Sequence, residues 1–177
     1  MLSAHFSAAD LLNAGETWAA YQVENVPMQP ATWNALKFLC KNILEPVRTR
    51  FGHPIISYGY SSPALTKLIS GRIYPSLDQH AGHEIDEDGK PICKRLGQAV
   101  DFILPGYGSA KVASWIVANL PFDRLYYYGN DRPLHVSIGP DNSRSIVAML
   151  RSPTGRLIPR RIKQEWLDNI YTNGHGV

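Results

Sequence analysis

Gly97-Gln98-Ala99-Val100-Asp101-Phe102 is the stretch whose reading decides the fold. From Gln98 to Leu104 apolar and polar residues alternate well enough for a strand, and Pro105-Gly106 ends it. Asp101 therefore belongs to a short strand. Two histidines stand in comparable places, His80 in Asp78-Gln79-His80-Ala81-Gly82-His83-Glu84 and His135 in Pro133-Leu134-His135-Val136-Ser137. Two imidazoles and a carboxylate form a ligand set that a borderline-soft cation such as zinc takes with a fourth position open. Each residue also has a plainer reading. Asp101 can pair with Lys94 or Arg95, His135 can be a satisfied core histidine, and His80 and His83 can be a solvated loop pair.

Working outward, Leu125-Tyr126-Tyr127-Tyr128 and Leu134-His135-Val136-Ser137-Ile138 read as two strands joined through Gly129-Asn130-Asp131-Arg132-Pro133, a natural hairpin connection. The three tyrosines read first as sheet packing. A helix capped by Ser109 carries Val112, Ala113, Ile116 and Val117 on its apolar side and ends before Pro121. Ser145 to Leu150 reads as a last strand, followed by a basic tail (Arg151, Arg156, Arg160, Arg161, Lys163) and a short helix around Gln164 to Ile170.

Upstream, Pro30 starts the longest periodic run, with Trp33, Leu36, Cys40, Ile43, Leu44 and Val47 at three- and four-residue steps to Arg50, before Gly52 stops it. Before it, Ser7 caps a turn of helix that clasps the main body. After it, Pro54-Ile55-Ile56-Ser57-Tyr58 is a strand, which passes through Gly59-Tyr60-Ser61 into a helix capped by Ser62 and ending at Gly71. Residues 72–96 hold only a turn at Asp86-Glu87-Asp88-Gly89-Lys90-Pro91 that can close a small hairpin. Long loops in compact domains are commonly functional, and this one contains both His80 and His83.

A chain of 177 residues, 44% hydrophobic and 19% charged, suits one domain with a sizeable core. Its net charge of +3 falls short of the dense Lys/Arg stripes of nucleic-acid binders, so no nucleic acid is expected as partner. Cys40 and Cys93 form no CxxC spacing and read as free thiols in a reducing compartment. The start has neither a basic n-region nor an apolar h-region, and no apolar stretch reaches membrane-spanning length. A cytoplasmic monomer is the expectation.

Taken together these signals resemble the zinc D-alanyl-D-alanine carboxypeptidases and the related phage and bacterial murein peptidases, which share a fold with the hedgehog signalling domain. The resemblance covers roughly residues 3–140. It rests on Leu44-Glu45-Pro46-Val47-Arg48, on the turn Tyr58-Gly59-Tyr60-Ser61-Ser62-Pro63, on Asp78-Gln79-His80, on Gly97 to Phe102, on Leu120 to Leu125, and on Pro133 to Ser137. It implies an α+β fold with a small antiparallel sheet flanked by helices, with 141–177 as a C-terminal strand and basic helical extension of the same domain. It also implies Zn²⁺ held by His80 (or His83), Asp101 and His135, and a small peptide substrate such as a murein stem peptide.

Three departures stand beside the matches. The family's first histidine lies seven positions before the aspartate, where this chain has Lys94. His80 lies twenty-one positions before Asp101, so an insertion loops out between them and His83 competes for the ligand role. The family's substrate-carboxylate arginine is Ser61 here, with Arg72 the nearest basic substitute. The catalytic glutamate position after the Phe-Asp-x-Leu lead-in is Tyr128. Zinc hydrolysis needs a nearby proton acceptor. Glu84 and Asp131 are the carboxylates available for it, and Tyr128 can hydrogen-bond a developing oxyanion, although a phenol with pKa of about 10 is a poor base. The expected activity is hydrolysis of an amide in a peptidoglycan-like peptide, with release of the protein to the cell wall if it is phage-derived. The alternatives are an inactive family member acting as a binding or regulatory module, and a hydrolase for another cytoplasmic substrate.

Overall fold

The computed structural model describes residues 1–69 and 74–173. Its strands are β1 (Ile55–Tyr58), β2 (Gln98–Ile103), β3 (Arg124–Tyr127), β4 (Leu134–Ile138), β5 (Ser145–Arg151) and β6 (Leu157–Arg161), in the order β1-β2-β4-β3-β5-β6. The fold is α+β, as expected, but the sheet is neither small nor purely antiparallel. It has six strands, and β5 runs parallel to β3. The reason lies in edge occupancy. β2 already covers one side of β4, so the chain leaving β4 takes the free edge of β3. It enters at the Asp123 end, where the Asp123 carboxylate accepts from the Ser143 amide (2.7 Å) and the Asp123 carbonyl from the Ser145 amide (2.9 Å). β6, absent from the sequence expectation, then folds back on β5 as an exposed edge. Part of the basic tail is therefore strand: Arg160 and Arg161 belong to β6.

Period-two alternation gives the sheet two faces. On one, Val100, Phe102, Leu125, Leu134, Val136 and Ala148 are buried in a core shared with Leu36, Leu39, Ile43, Val47, Ala113, Ile116 and Leu167. Each of the larger aliphatic and aromatic side chains among them stabilises the fold by about 1.5–3 kcal/mol when removed from water. The helices supplying that core are α3 (Pro30–Leu39), α4 (Glu45–Phe51), α6 (Ser109–Asn119) and α7 (Gln164–Asn173), and the further helices are α1 (Ala8–Leu12), α2 (Gly15–Tyr21) and α5 (Pro63–Thr66). α3 and α4 form the expected long run, joined by a π-turn over Cys40–Leu44 in which the Glu45 amide reaches back to the Cys40 carbonyl. Pro46 lacks an amide hydrogen and its ring crowds the carbonyl four residues back, and a widened turn relieves that clash.

Local capping follows the sequence at both clasps and departs from it at α6. Ser7 and Asp10 form a reciprocal capping box on α1, and Ser62 accepts from the Leu65 amide at α5. At α6 the cap position belongs to Gly108, and Asn130 of the β3–β4 turn accepts from the amides of Ser109 and Ala110 at 3.0 Å each, while the Ser109 hydroxyl donates to the Arg132 carbonyl. The helix expected to run to Gly71 stops at Thr66, where the Lys67 amide turns back to the Leu65 and Pro63 carbonyls, while Gly71 itself lies outside the described residues. The loop before β2 contains 3-10 turns at Pro75–Leu77 and Gln79–Ala81 and one bridge, Ile85 to Pro91, which closes the expected turn. Both cysteines are buried free thiols, and burial pushes Cys40 up to about 12. Among the described residues no helix is long and apolar enough to cross a membrane.

Candidate metal centre

The second face of the sheet carries a single row of side chains across all six strands. Tyr58, Asp101, His135, Tyr126, Val147 and Arg161 are successive cross-strand partners. Asp101 and His135 thus meet because β2 and β4 pair in this register, and a one-residue slip of either strand would turn its own ligand towards the core. His80 comes from the loop and completes the group. His135 Nδ1 lies 2.7 Å from Asp101 Oδ1, His80 Nε2 lies 3.3 Å from the same oxygen, and the two imidazole nitrogens are 3.2 Å apart. Both histidines are buried, while Asp101 keeps 24% of its side chain exposed.

Two features prepare these atoms for a cation. His80 Nδ1 is 2.6 Å from the Gly59 carbonyl, which can only accept, so the proton sits on Nδ1 and the Nε2 lone pair points to Asp101 and His135. Burial alone would raise the Asp101 carboxyl, but positive charge on the two imidazoles, in their protonated form, outweighs it and holds the group well below the usual carboxylate range. A tetrahedron with arms of about 2.0–2.1 Å has edges of roughly 3.3 Å. Two edges of the cluster have that length, and the third, at 2.7 Å, is a hydrogen bond. The His80, Asp101 and His135 cluster can therefore hold a metal ion.

The loop is held to the sheet by buried polar contacts. Gln79 donates to the carbonyls of Leu96 and Ile138 and to Asp123, and accepts from the Ser137 hydroxyl at 2.7 Å. Ser61, expected at the substrate, is fully buried. Its amide donates to the His80 carbonyl and its hydroxyl meets Thr66, so it serves the backbone beneath the histidine. Gly59 permits the clasp: a Cβ there would sit 2.0 Å from the Leu11 carbonyl, which accepts from the Tyr60 amide. Gly97, at φ +84°, likewise lets β2 pass close to the Ile138 carbonyl.

His83 and Glu84 stand apart from the cluster. His83 Nε2 accepts from the Gly97 amide at 3.1 Å, so its lone pair is in use, and burial lowers its basicity against the pull of neighbouring Glu84. Glu84 is buried too, accepting from the amides of Met28 and Gln29 and from the Thr32 hydroxyl (2.8 Å) at the start of α3. It braces the start of α3 from outside, holding the two amides ahead of the helix and the Thr32 side chain, and it is not part of the ligand group. Asp131 is exposed on the β3–β4 turn, and Arg72 lies outside the described residues.

On its open side the cluster borders a cleft of about 380 Å³ lined by Asp101, Tyr128, Arg132, Pro133, Met149, Arg151 and Leu157. A hollow of about 460 Å³ beside Pro63, Lys67 and Asp86 holds none of the three ligands, so size alone does not locate the site. Arg95 donates to the Leu77 carbonyl and the Tyr126 hydroxyl, and the Tyr126 ring lies edge-on to His135. Gly59, Gln79, Arg132 and Arg151 were not singled out from sequence. Gln79 stood in the Asp-Gln-His context, Gly59 in the turn motif and Arg151 in the basic tail, while nothing local marks Arg132. No family model, curated protein or solved structure matches the chain.

Proposed function

We propose that this protein is a zinc-dependent hydrolase of the D-alanyl-D-alanine carboxypeptidase and murein endopeptidase type, with a hedgehog-like fold, cleaving an amide bond in a peptidoglycan-like peptide. The observation that carries the reading is the convergence of His80 Nε2, Asp101 Oδ1 and His135 Nδ1 beside an open cleft, with the His80 tautomer already set by Gly59. Three protein ligands and an open side are the pattern of catalytic rather than structural zinc. The ordered motif matches from Leu44 to Ser137 point the same way.

A zinc ion bound there would supply Lewis-acid activation of water and of the scissile carbonyl. The chain's own residues divide the remaining work. Gly59 and Gln79 orient His80, directly and through the loop, and Tyr128 lines the cleft beside Asp101 where a phenol can hydrogen-bond developing negative charge. Glu84 is engaged at the start of α3, and Asp131, exposed on the β3–β4 turn outside the cleft lining, is the carboxylate that would have to swing in for proton transfer.

Purified protein should contain about one zinc per chain and release D-alanine from murein stem peptides. Zinc content near zero that persists after reconstitution overturns the reading. The presence of Tyr128 in place of a glutamate favours one second reading, a metal-holding binding module without turnover. Zinc without hydrolysis, together with hydrolysis gained in Tyr128→Glu, would establish it.

A further inference from the structure

We infer that Arg132 and Arg151 form an anion-recognition subsite of the cleft, so that its ligand carries a carboxylate or phosphate beside a short apolar group. The inference rests on the reading of this cleft as the substrate site, and it names the class of substrate. Arg151 lies on the same face of β5 as Val147, four residues on, and pairs across the strands with Leu157 of β6. Arg132 enters from the β3–β4 turn. Neither arginine forms an ion pair among the described residues, and Arg151 is held only by the Gly155 carbonyl at 3.3 Å.

Charge balance makes this specific. Asp101 is the one carboxylate lining the cleft among the described residues, and both imidazoles already engage it. Among the described residues the two guanidinium groups therefore face the cleft with no ion-pair partner of their own. Guanidinium forks recognise carboxylate and phosphate with paired hydrogen bonds. Pro133, Met149 and Leu157 add an apolar lining. A family-type carboxylate contact from the Ser61 turn is closed, since Ser61 is buried against His80 and Thr66. The β5–β6 hairpin supplies the cationic wall in its stead.

Met149 provides the readout, because the chain has three methionines and Met149→Leu identifies its methyl signal. Full-length protein carrying ¹³C-methyl methionine is titrated with hippurate, with the neutral amide of hippurate, and with phenyl phosphate. Zinc content is measured on the same samples. Met149 should respond to hippurate or phenyl phosphate and far less to the amide, and the tighter of the two anions identifies the source of the charge. Arg132→Gln and Arg151→Gln should each weaken the anion about tenfold, with Arg151→Lys retaining part of the affinity. Both arginines are exposed, so zinc content and folding should be unchanged. Equal response to hippurate and its amide, or full affinity in the double Gln variant, overturns the subsite. Anion binding in protein that cannot hold zinc overturns the hydrolase reading and leaves the subsite standing.

Discussion

His80 Nδ1 and the Gly59 carbonyl are 2.6 Å apart, and this contact sets which nitrogen of His80 can meet a metal. The carbonyl comes from the β1–α5 turn, which the N-terminal clasp holds through the Gly59 amide on Asn13 and the Tyr60 amide on Leu11, both at 2.7 Å. A segment that touches no metal ligand thereby orients one.

Gly59→Ala tests that chain of contacts. Its Cβ would meet backbone at 2.0 Å, which cannot swing aside as a side chain could. Displacing the turn should cost about 1–3 kcal/mol of stability and lower zinc affinity about 10- to 100-fold. Denaturant unfolding and competition with a chromogenic chelator measure the two effects, and unchanged zinc affinity would disconnect Gly59 from the site.

Glu84→Gln separates a structural brace from a catalytic base. Glu84 accepts three hydrogen bonds at α3, so its replacement should lower stability by about 1–2 kcal/mol with zinc content unchanged. Turnover per folded molecule should hold. A large loss of turnover at full stability would return Glu84 to the chemistry.

Gln79 should be intolerant of both an apolar and a charged substitute. Gln79→Leu removes the shortest partner of the Ser137 hydroxyl, which keeps only longer contacts to the Arg124 backbone, and takes a donor from buried Asp123, a loss of about 1–3 kcal/mol. Gln79→Glu should be worse, because it sets a second carboxylate against Asp123. Thermal melts rank the variants, and the glutamate variant melting above the leucine one would refute the network.

Acid should loosen the N-terminal clasp. Partial burial would raise the Glu45 carboxyl, but hydrogen bonds from Ser3 and His5 pull it down from 4.5 to about 2. A carboxylate depressed in the folded state adds stability that is complete above 4.5 and drains away as pH falls towards 2. The difference in stability between wild type and Glu45→Gln should shrink over that window. A difference constant from pH 6 to pH 2.5 would rule the clasp out.

Tyr128→Glu restores a carboxylate at the position the resemblance assigns to a base. If proton transfer limits hydrolysis, turnover should rise by about 10²- to 10⁴-fold. Stopped or initial-rate assays of D-alanine release measure the gain, and no gain in a folded, zinc-loaded variant removes proton transfer as the limit.

What the sequence determined by itself is what depends on near neighbours. Alternation over Gln98–Ile103 and Leu134–Ile138 set which residues share a face, the Pro30 run set the long helix, and Ser7 and Ser62 set their caps. The pairing of Asp101 with His135 as candidates followed from those local patterns, and the α+β class from the family resemblance they carry. Tertiary structure decided what depends on partners far along the chain. Whether His80 or His83 faced the sheet turned on which imidazole found Gly59 and which found Gly97. Glu84 became a brace because α3 was within reach, and β5 ran parallel because β4 had no free edge. Arg151 met the cleft only because β5 and β6 were laid beside β3, a placement fixed by long-range packing that no local pattern encodes.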